Sequence, residues 1–317
     1  QLITNATKFV LESITTPVIN NPISPLSNKP TAKLMQFSLA YTNIASVLAK
    51  LNSLILYVQD KKPSCMAISE SWLNNSVDSS VINLPDYDIY RSDRKGRGGG
   101  VCILLNKTDF QNFRISEIAH NVISSTIECL FLCVASKEAS FHIGCIYRAP
   151  NSSLLDDKIL INELSALSTR YSDLIVCGDF NFPDISWPLS HIPEGNNSSS
   201  LFAEMYLNTN YYQLVEEPTR FRLGDTPSLL DLILINDDSL LSDINVSSPI
   251  GKSDHAVIET IIQITASPPQ NINEPIKVIN YNEVSIFLNN LKWDELYSIS
   301  DVHVLWNIFK NTLHNVI

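Results

Sequence analysis

Basic residues are scarce in this sequence: 22 Lys and Arg stand against 33 Asp and Glu, a formal net charge of -11. That balance excludes a generally basic nucleic-acid coat, because phosphate binding draws on clustered cations. It leaves room for a nuclease, since carboxylates that hold a divalent cation count as negative until the ion reverses the local field. No apolar run approaches the roughly 18 residues that a membrane span needs, so a soluble protein with no membrane partner is expected. No Cys-x-x-Cys pair occurs among Cys65, Cys102, Cys129, Cys133, Cys145 and Cys177. All six fall in apolar, strand-like stretches, which argues for buried, reduced thiols. With no signal peptide visible, an intracellular protein, nuclear or cytoplasmic, is expected.

What is present has globular composition, with 44% apolar and 17% charged residues over 317 positions. One large core with short appendages is the default at this length. Residues 1–33 mix Asn, Thr, Ser and Pro, and Pro17, Pro22, Pro25 and Pro30 prevent a long helix. This reads as an irregular lead-in. The folded body spans 34–264, with strands expected at 37–43, 65–69, 87–91, 101–105, 127–134, 141–147, 174–177, 230–235 and 256–264. Helices are expected at 46–59, 154–171 and 199–208. Many strands, several of them contiguous, with few helices define an α+β fold, a four-layer sandwich of two packed mixed sheets flanked by helices. Prolines mark 265–275 as a linker, and 276–317 reads as a helical connector with helices at 281–291 and 301–316 around Trp293 and Trp306.

Along the body, apolar strands repeatedly end in a polar or acidic residue, and strand edges of that kind assemble sites. Asn43 ends the first, Glu70 follows the second, and Asp179 and Asn181 follow the run 174–178. Asp231 opens an apolar run, and Ser253, Asp254 and His255 precede the last strand. Each alone is ordinary, since a strand-terminal Asp is more often a turn former than a ligand. Together Glu70, Asp179, Asp231, Asp254 and His255, with the amides of Asn43 and Asn181, make a hard-cation site beside a general base. The few cations cluster as well: Arg91, Arg94, Lys95 and Arg97 lie within seven residues, and Arg220 and Arg222 flank Phe221. Gly98, Gly99 and Gly100 read as a tight turn before a strand, and His142 as a structural histidine.

Read in order, the chain spells YTN at 41–43, SESW at 69–72, GRGGGV at 96–101, IYRAP at 146–150, GDFN at 178–181, SLLDLIL at 228–234 and SDH at 253–255. In this order they resemble the endonuclease/exonuclease/phosphatase superfamily, whose fold is deoxyribonuclease-I-like. Several spellings, with PTRF at 218–221, resemble the apurinic-like endonuclease domain of non-LTR retrotransposons of the jockey and chicken-repeat type. In such proteins a reverse transcriptase domain follows, and 276–317 resembles the connector toward it. No Tyr/Phe-x-Asp-Asp polymerase motif occurs in the sequence.

The resemblance implies roles residue by residue. Glu70 would be the principal Mg²⁺ ligand, with Mn²⁺ a possible substitute, and Asn43 and Asp254 would lie near the ion. Asp179 would hold or deprotonate the attacking water, which Asn181 helps orient. His255, oriented by Asp231, would bind a phosphoryl oxygen or act as base, and Tyr147 would donate to the phosphate. Arg148, Ser228 and Arg222 are the candidate substrate contacts, Arg148 as a bidentate phosphate clamp. Either Asp179 or His255 fits the base, and one or two metals fit the site. The implied activity is Mg-dependent nicking of double-stranded DNA that primes reverse transcription. The alternatives are another phosphoester substrate (RNA, phospholipid or inositol phosphate) or an inactive relic kept as a binding module. The presence of the whole residue set argues against the relic.

Overall fold

The computed structural model describes residues 33–266. The lead-in and the helical connector with Trp293 and Trp306 lie outside the described residues. Twelve strands form two six-stranded sheets. They are β1 (Lys33–Asn43), β2 (Cys65–Ser69), β3 (Tyr87–Ser92), β4 (Val101–Asn106), β5 (Arg114–Glu117) and β6 (Ile127–Ala135). The remainder are β7 (Ser140–Arg148), β8 (Leu174–Asp179), β9 (Tyr212–Gln213), β10 (Asp231–Ile235), β11 (Asn245–Ser247) and β12 (Val257–Ala266). One sheet runs β11-β12-β1-β2-β4-β3 and the other β5-β6-β7-β8-β10-β9.

Each sheet contains one parallel pair, β1 with β2 and β7 with β8, and its other pairings are antiparallel. A parallel pair needs a crossover, and helices supply both. α1 (Leu51–Lys61) links β1 to β2, and α2 (Leu154–Arg170) links β7 to β8. α3 (Ser198–Asn208) follows β8. Ser153 caps α2 through the amide of Asp156, and a reciprocal pair between Asn197 and Ser200 starts α3.

Alternation along the strands divides the apolar residues into three layers. Phe37, Leu39 and Tyr41 of β1 and Cys65 and Ala67 of β2 face Phe141, Ile143, Cys145 and Tyr147 of β7, with Ile175, Cys177, Ile233 and Ile235 beside them. This is the core between the sheets. Met66 and Ile68 turn the other way onto Leu54 and Val58 of α1. Val176 and Leu174 turn onto Leu160, Leu164 and Phe202 of the helices over the second sheet. The expected four-layer sandwich is what forms. All six cysteines are unpaired, and all but Cys133 are buried.

Boundaries differ where tertiary contacts override local pattern. The helix expected at 46–59 is a 3-10 turn at Leu48–Lys50 followed by α1, because the residues before it are pinned to the end of β2. Ser46 and Val47 donate their amides to the carbonyls of Glu70 and Ser71, at 2.9 Å each. β12 runs on to Ala266, through the first residues assigned to the linker. The short edge strands β5, β9 and β11 carry too few residues to show an alternation.

Gly178 shows how tightly the frame is drawn. A Cβ there would lie 2.6 Å from the carbonyl oxygen of Ile146 on β7. Its absence lets β8 close on β7 and sets Asp179 level with Tyr147. Gly178→Ala is expected to cost about 1–3 kcal/mol through overpacking, read as a lower urea midpoint with an unchanged slope.

Candidate active site

Register brings the polar strand ends to one end of the inter-sheet core. Asn43 pairs with Ser69 where the parallel strands β1 and β2 end. In the other sheet, Asp179 lies between Tyr147 on β7 and Asp231 on β10. Asp179 and Asp231 continue the inward parity of Cys177 and Ile233, so their carboxylates cap the core instead of facing the helices. His255 enters just ahead of β12.

Hydrogen bonds tie this layer together. Asn43 Nδ2 donates to Glu70 Oε1 at 3.0 Å and to Asp179 Oδ2 at 2.8 Å, bridging two carboxylates. His255 Nδ1 lies 2.7 Å from Asp231 Oδ2, and His255 Nε2 lies 4.0 Å from Asp179 Oδ2. Asp231 also accepts from the Tyr41 hydroxyl at 2.9 Å and from the Thr219 hydroxyl at 2.6 Å. Asn181 donates its own amide to Asp179 at 3.2 Å and its side-chain amide to the carbonyl of Arg148 at 2.7 Å. The Trp72 indole donates to Glu70 Oε2 at 2.9 Å.

The backbone around the site is strained. Seven non-glycine residues among those described have positive φ, and Ala45, Ser46, Glu70, Trp72 and Asn181 border the site. Such conformations persist only where the surroundings over-determine them. The other two, Lys62 and Asn83, end helical turns. Gly98, Gly99 and Gly100 are also left-handed, at φ 76°, 65° and 80°. A Cβ at Gly99 would lie 2.6 Å from Glu128, whose carboxylate pairs with Arg94 at 2.5 and 2.9 Å. Gly99 therefore makes room for that ion pair, and Arg94 sits 5.3 Å from the centre of the Tyr147 ring.

Burial and charge shift the titrations. Burial, then repulsion by Asp231, pushes Asp179 up to about 8 against the pull of His255 and Asn43. Burial opposes charge on His255, but Asp231, Asp179 and Asp254 outweigh it and push the imidazole up to about 9. Burial, with Glu70 and Asp179 adding to it, holds the Tyr147 phenol protonated.

Asp179, His255, Asp231, Asn181, Tyr147, Glu70 and Asn43 thus lie together at this end of the core. Asn43, Asp254 and Ser228 take specific places around the site, and Arg148 differs from expectation. Asn43 presents its NH₂ to the carboxylates of Glu70 and Asp179, and its carbonyl oxygen accepts from the amide of Ala45 at 3.1 Å. Asp254 lies at the rim, held by Arg220 Nε at 3.1 Å. Ser228 contributes its carbonyl, which accepts from the amides of Thr219 and Arg220 and so steadies Thr219. Arg148 is not a phosphate clamp. It is 5% exposed, its Nε and Nη2 grip Asp157 at 2.7 and 2.8 Å, and Nη1 donates to the carbonyl of Asn181 at 2.9 Å. The reason is parity: Tyr147 points into the inter-sheet core, so the next residue points at α2. Arg222 is 64% exposed on the loop between Thr219 and Ser228.

Sequence reasoning assigned no role to Tyr41, Thr219, Trp72 or the Arg94–Glu128 pair. Tyr41, Trp72 and Thr219 lie inside the YTN, SESW and PTRF spellings, which is the signal that was there to use.

Ligand atoms of Asp179, Asp231 and His255 lie within 4.8 Å of one another. Both Asp231 oxygens are already taken by Tyr41, Thr219 and His255, however, so this carboxylate serves the imidazole. Glu70 and Asp179, which Asn43 links, keep lone pairs of the hard oxygen type a divalent cation takes.

The described body has the deoxyribonuclease-I-like fold of two packed mixed sheets, with these residues gathered at its strand ends. Within it, residues 141–259 match the family described as "Endonuclease-reverse transcriptase". That match takes in Tyr147, Asp179, Asn181, Asp231, Asp254 and His255, and the fold adds Asn43 and Glu70 from outside it. The endonuclease domain of TRAS1, a telomere-specific non-LTR retrotransposon, is similar at TM-score 0.56 and 13% identity, over 72% of this chain and 98% of that one. The 3′ phosphatase NExo from Neisseria, bound to a product DNA hairpin, is similar at 0.54 and 12%, over 71% and 98%. The AP endonuclease LMAP from Leishmania major is similar at 0.56 and 12%, over 74% and 89%. No curated protein matches the chain.

Two outcomes follow from this geometry. Arg148→Ala strands a buried Asp157 charge and is expected to cost about 3–5 kcal/mol of stability in urea unfolding. The second concerns pH. His255 and Asp179 hold protons in the folded state that the unfolded chain releases, since their ordinary values are 6.5 and 3.8. The His255 contribution is whole below pH 6.5 and lost as pH rises through about 9, and the Asp179 contribution is lost on the way to about 8. In EDTA the melting temperature should therefore fall between pH 6.5 and 9, and Asp179→Asn should flatten the slope. A flat native profile contradicts the assignment.

Proposed function

We propose that this chain is a phosphodiesterase dependent on a divalent cation, an endonuclease that nicks double-stranded DNA for target-primed reverse transcription of a non-LTR retrotransposon. The observation that carries this reading is the placement of Asp179. Asn43 ties its carboxylate to Glu70 on one side, and His255 Nε2 stands 4.0 Å away on the other. Two carboxylates joined by one amide and an imidazole thus stand together, which suits a cation and an attacking water side by side.

Glu70 and Asp179 would hold the ion, Mg²⁺ with Mn²⁺ as a substitute. When bound, it supplies positive charge for the phosphoryl oxygens and favours the ionised forms of both carboxylates. Asp179 holds the attacking water and takes its proton, while the Asn181 amide orients it. His255 acts as an imidazolium donating from Nε2 to a phosphoryl oxygen, because Asp231 occupies Nδ1. Tyr147, kept protonated, donates to a second phosphoryl oxygen.

The DNA reading draws support from the described family and from the DNA-acting proteins of like fold. It also draws on the chain's own surface, where Lys95, Arg97 and Arg222 are exposed and Phe221 stands 48% exposed beside Arg222. An aromatic ring between arginines suits stacking on a base. A reverse transcriptase domain would be the functional partner, and the six unpaired thiols fit a nuclear or cytoplasmic setting.

The experiment is nicking of supercoiled plasmid with Mg²⁺ and with EDTA. Native protein should convert supercoiled to open-circular DNA only with the cation, and Asp179→Ala and His255→Ala should each lose at least about 100-fold in rate. A folded native chain that nicks no plasmid with either Mg²⁺ or Mn²⁺ removes the endonuclease reading.

A further inference from the structure

Tyr41 is fully buried, and it brings a polar group into the inter-sheet core after Phe37 and Leu39 on the same face of β1. Phenylalanine would fill the same space, and burying a hydroxyl costs free energy unless a strong acceptor offsets it. The acceptor is Asp231 Oδ1, 2.9 Å away on β10 of the opposite sheet. An ionised carboxylate only accepts, so Tyr41 donates to it, and the Ser69 hydroxyl, 2.8 Å from Tyr41, completes the chain by donating in turn. The other Asp231 oxygen takes Thr219 and His255. The carboxylate is therefore oriented by donors from β1, from the segment before β10 and from the segment before β12.

We infer that Tyr41 is a positioning residue for the reaction: its hydroxyl reaches from one sheet to the other and fixes the Asp231 carboxylate, so that Asp231 holds His255 with Nε2 toward Asp179. Tyr41 touches neither substrate nor cation. It acts through Asp231, and a hydrogen bond to a charged acceptor is strong enough to set the rotation of that group. The inference rests on the phosphodiesterase reading.

The test is Tyr41→Phe, made alone and in the His255→Ala background, with nicking followed under single-turnover conditions. Alone it should lower kcat about tenfold and leave KM within about twofold, the scale expected when a supporting partner is removed. In the His255→Ala background it should cause no further loss, because the imidazole it positions is gone. Equal losses in both backgrounds, a loss carried by KM, or no loss overturns the inference. Should Tyr41→Phe melt far below the native protein, Ser69→Ala replaces it in the same two-background comparison, with a loss of about threefold expected alone.

A second readout needs no activity. The proton shared by His255 Nδ1 and Asp231 is followed by NMR in the metal-free protein and should move upfield in Tyr41→Phe. An unmoved resonance overturns the inference. If the native chain nicks nothing, the endonuclease reading fails separately and the resonance alone decides this one.

Discussion

Asp179 and Asp231 face each other across neighbouring antiparallel strands, with Glu70 beyond them. Three carboxylates at the end of an apolar core would repel one another and suffer desolvation together. What makes the arrangement tenable is that a donor stands at every close approach. His255 stands between Asp231 and Asp179, Asn43 joins Asp179 to Glu70, and Tyr41 and Thr219 saturate Asp231. The rest of the molecule serves to keep those donors in place.

The frame does so through backbone geometry as much as through packing. The two crossover units place the carboxyl ends of β1, β2, β7 and β8 at one end of the sandwich, where crevices outside strand ends take ligands. Gly178 lets β8 approach β7, left-handed Gly99 admits the Arg94–Glu128 pair beside Tyr147, and Arg148 holds the exit of β8 through Asp157 and the carbonyl of Asn181. Left-handed Ala45, Ser46, Glu70, Trp72 and Asn181 show that backbone strain is concentrated where side chains must be aimed.

Much of this was legible in the sequence, for identifiable reasons. Long strands with buried alternation, such as β1 and β7, announce themselves through period-two patterning, and the polar residues that end them stand out against it. Glu70, Asp179, Asp231 and His255 were visible in that way. Strands of two to four residues at sheet edges carry no such pattern, so β5, β9 and β11 were not. Arg148 shows a different limit. Next to Tyr147 it has the chemistry of a phosphate clamp, and only its side of the strand, toward α2 and Asp157, decides that it braces the fold. Tyr41 and Thr219 reversed the case, since residues given no role from the sequence proved to hold Asp231.

The sequence by itself determined which residue types are available and in what order: acids and amides at strand ends, one histidine after an aspartate, small residues where backbones close in. Those are local properties, written in composition and periodicity. Which oxygen each donor satisfies, which carboxylates keep lone pairs for a cation, and which arginine faces inward was decided only by tertiary structure. The reason is physical: those outcomes depend on the register of strands up to about 190 positions apart and on the separation of two sheets, and no window of sequence contains either.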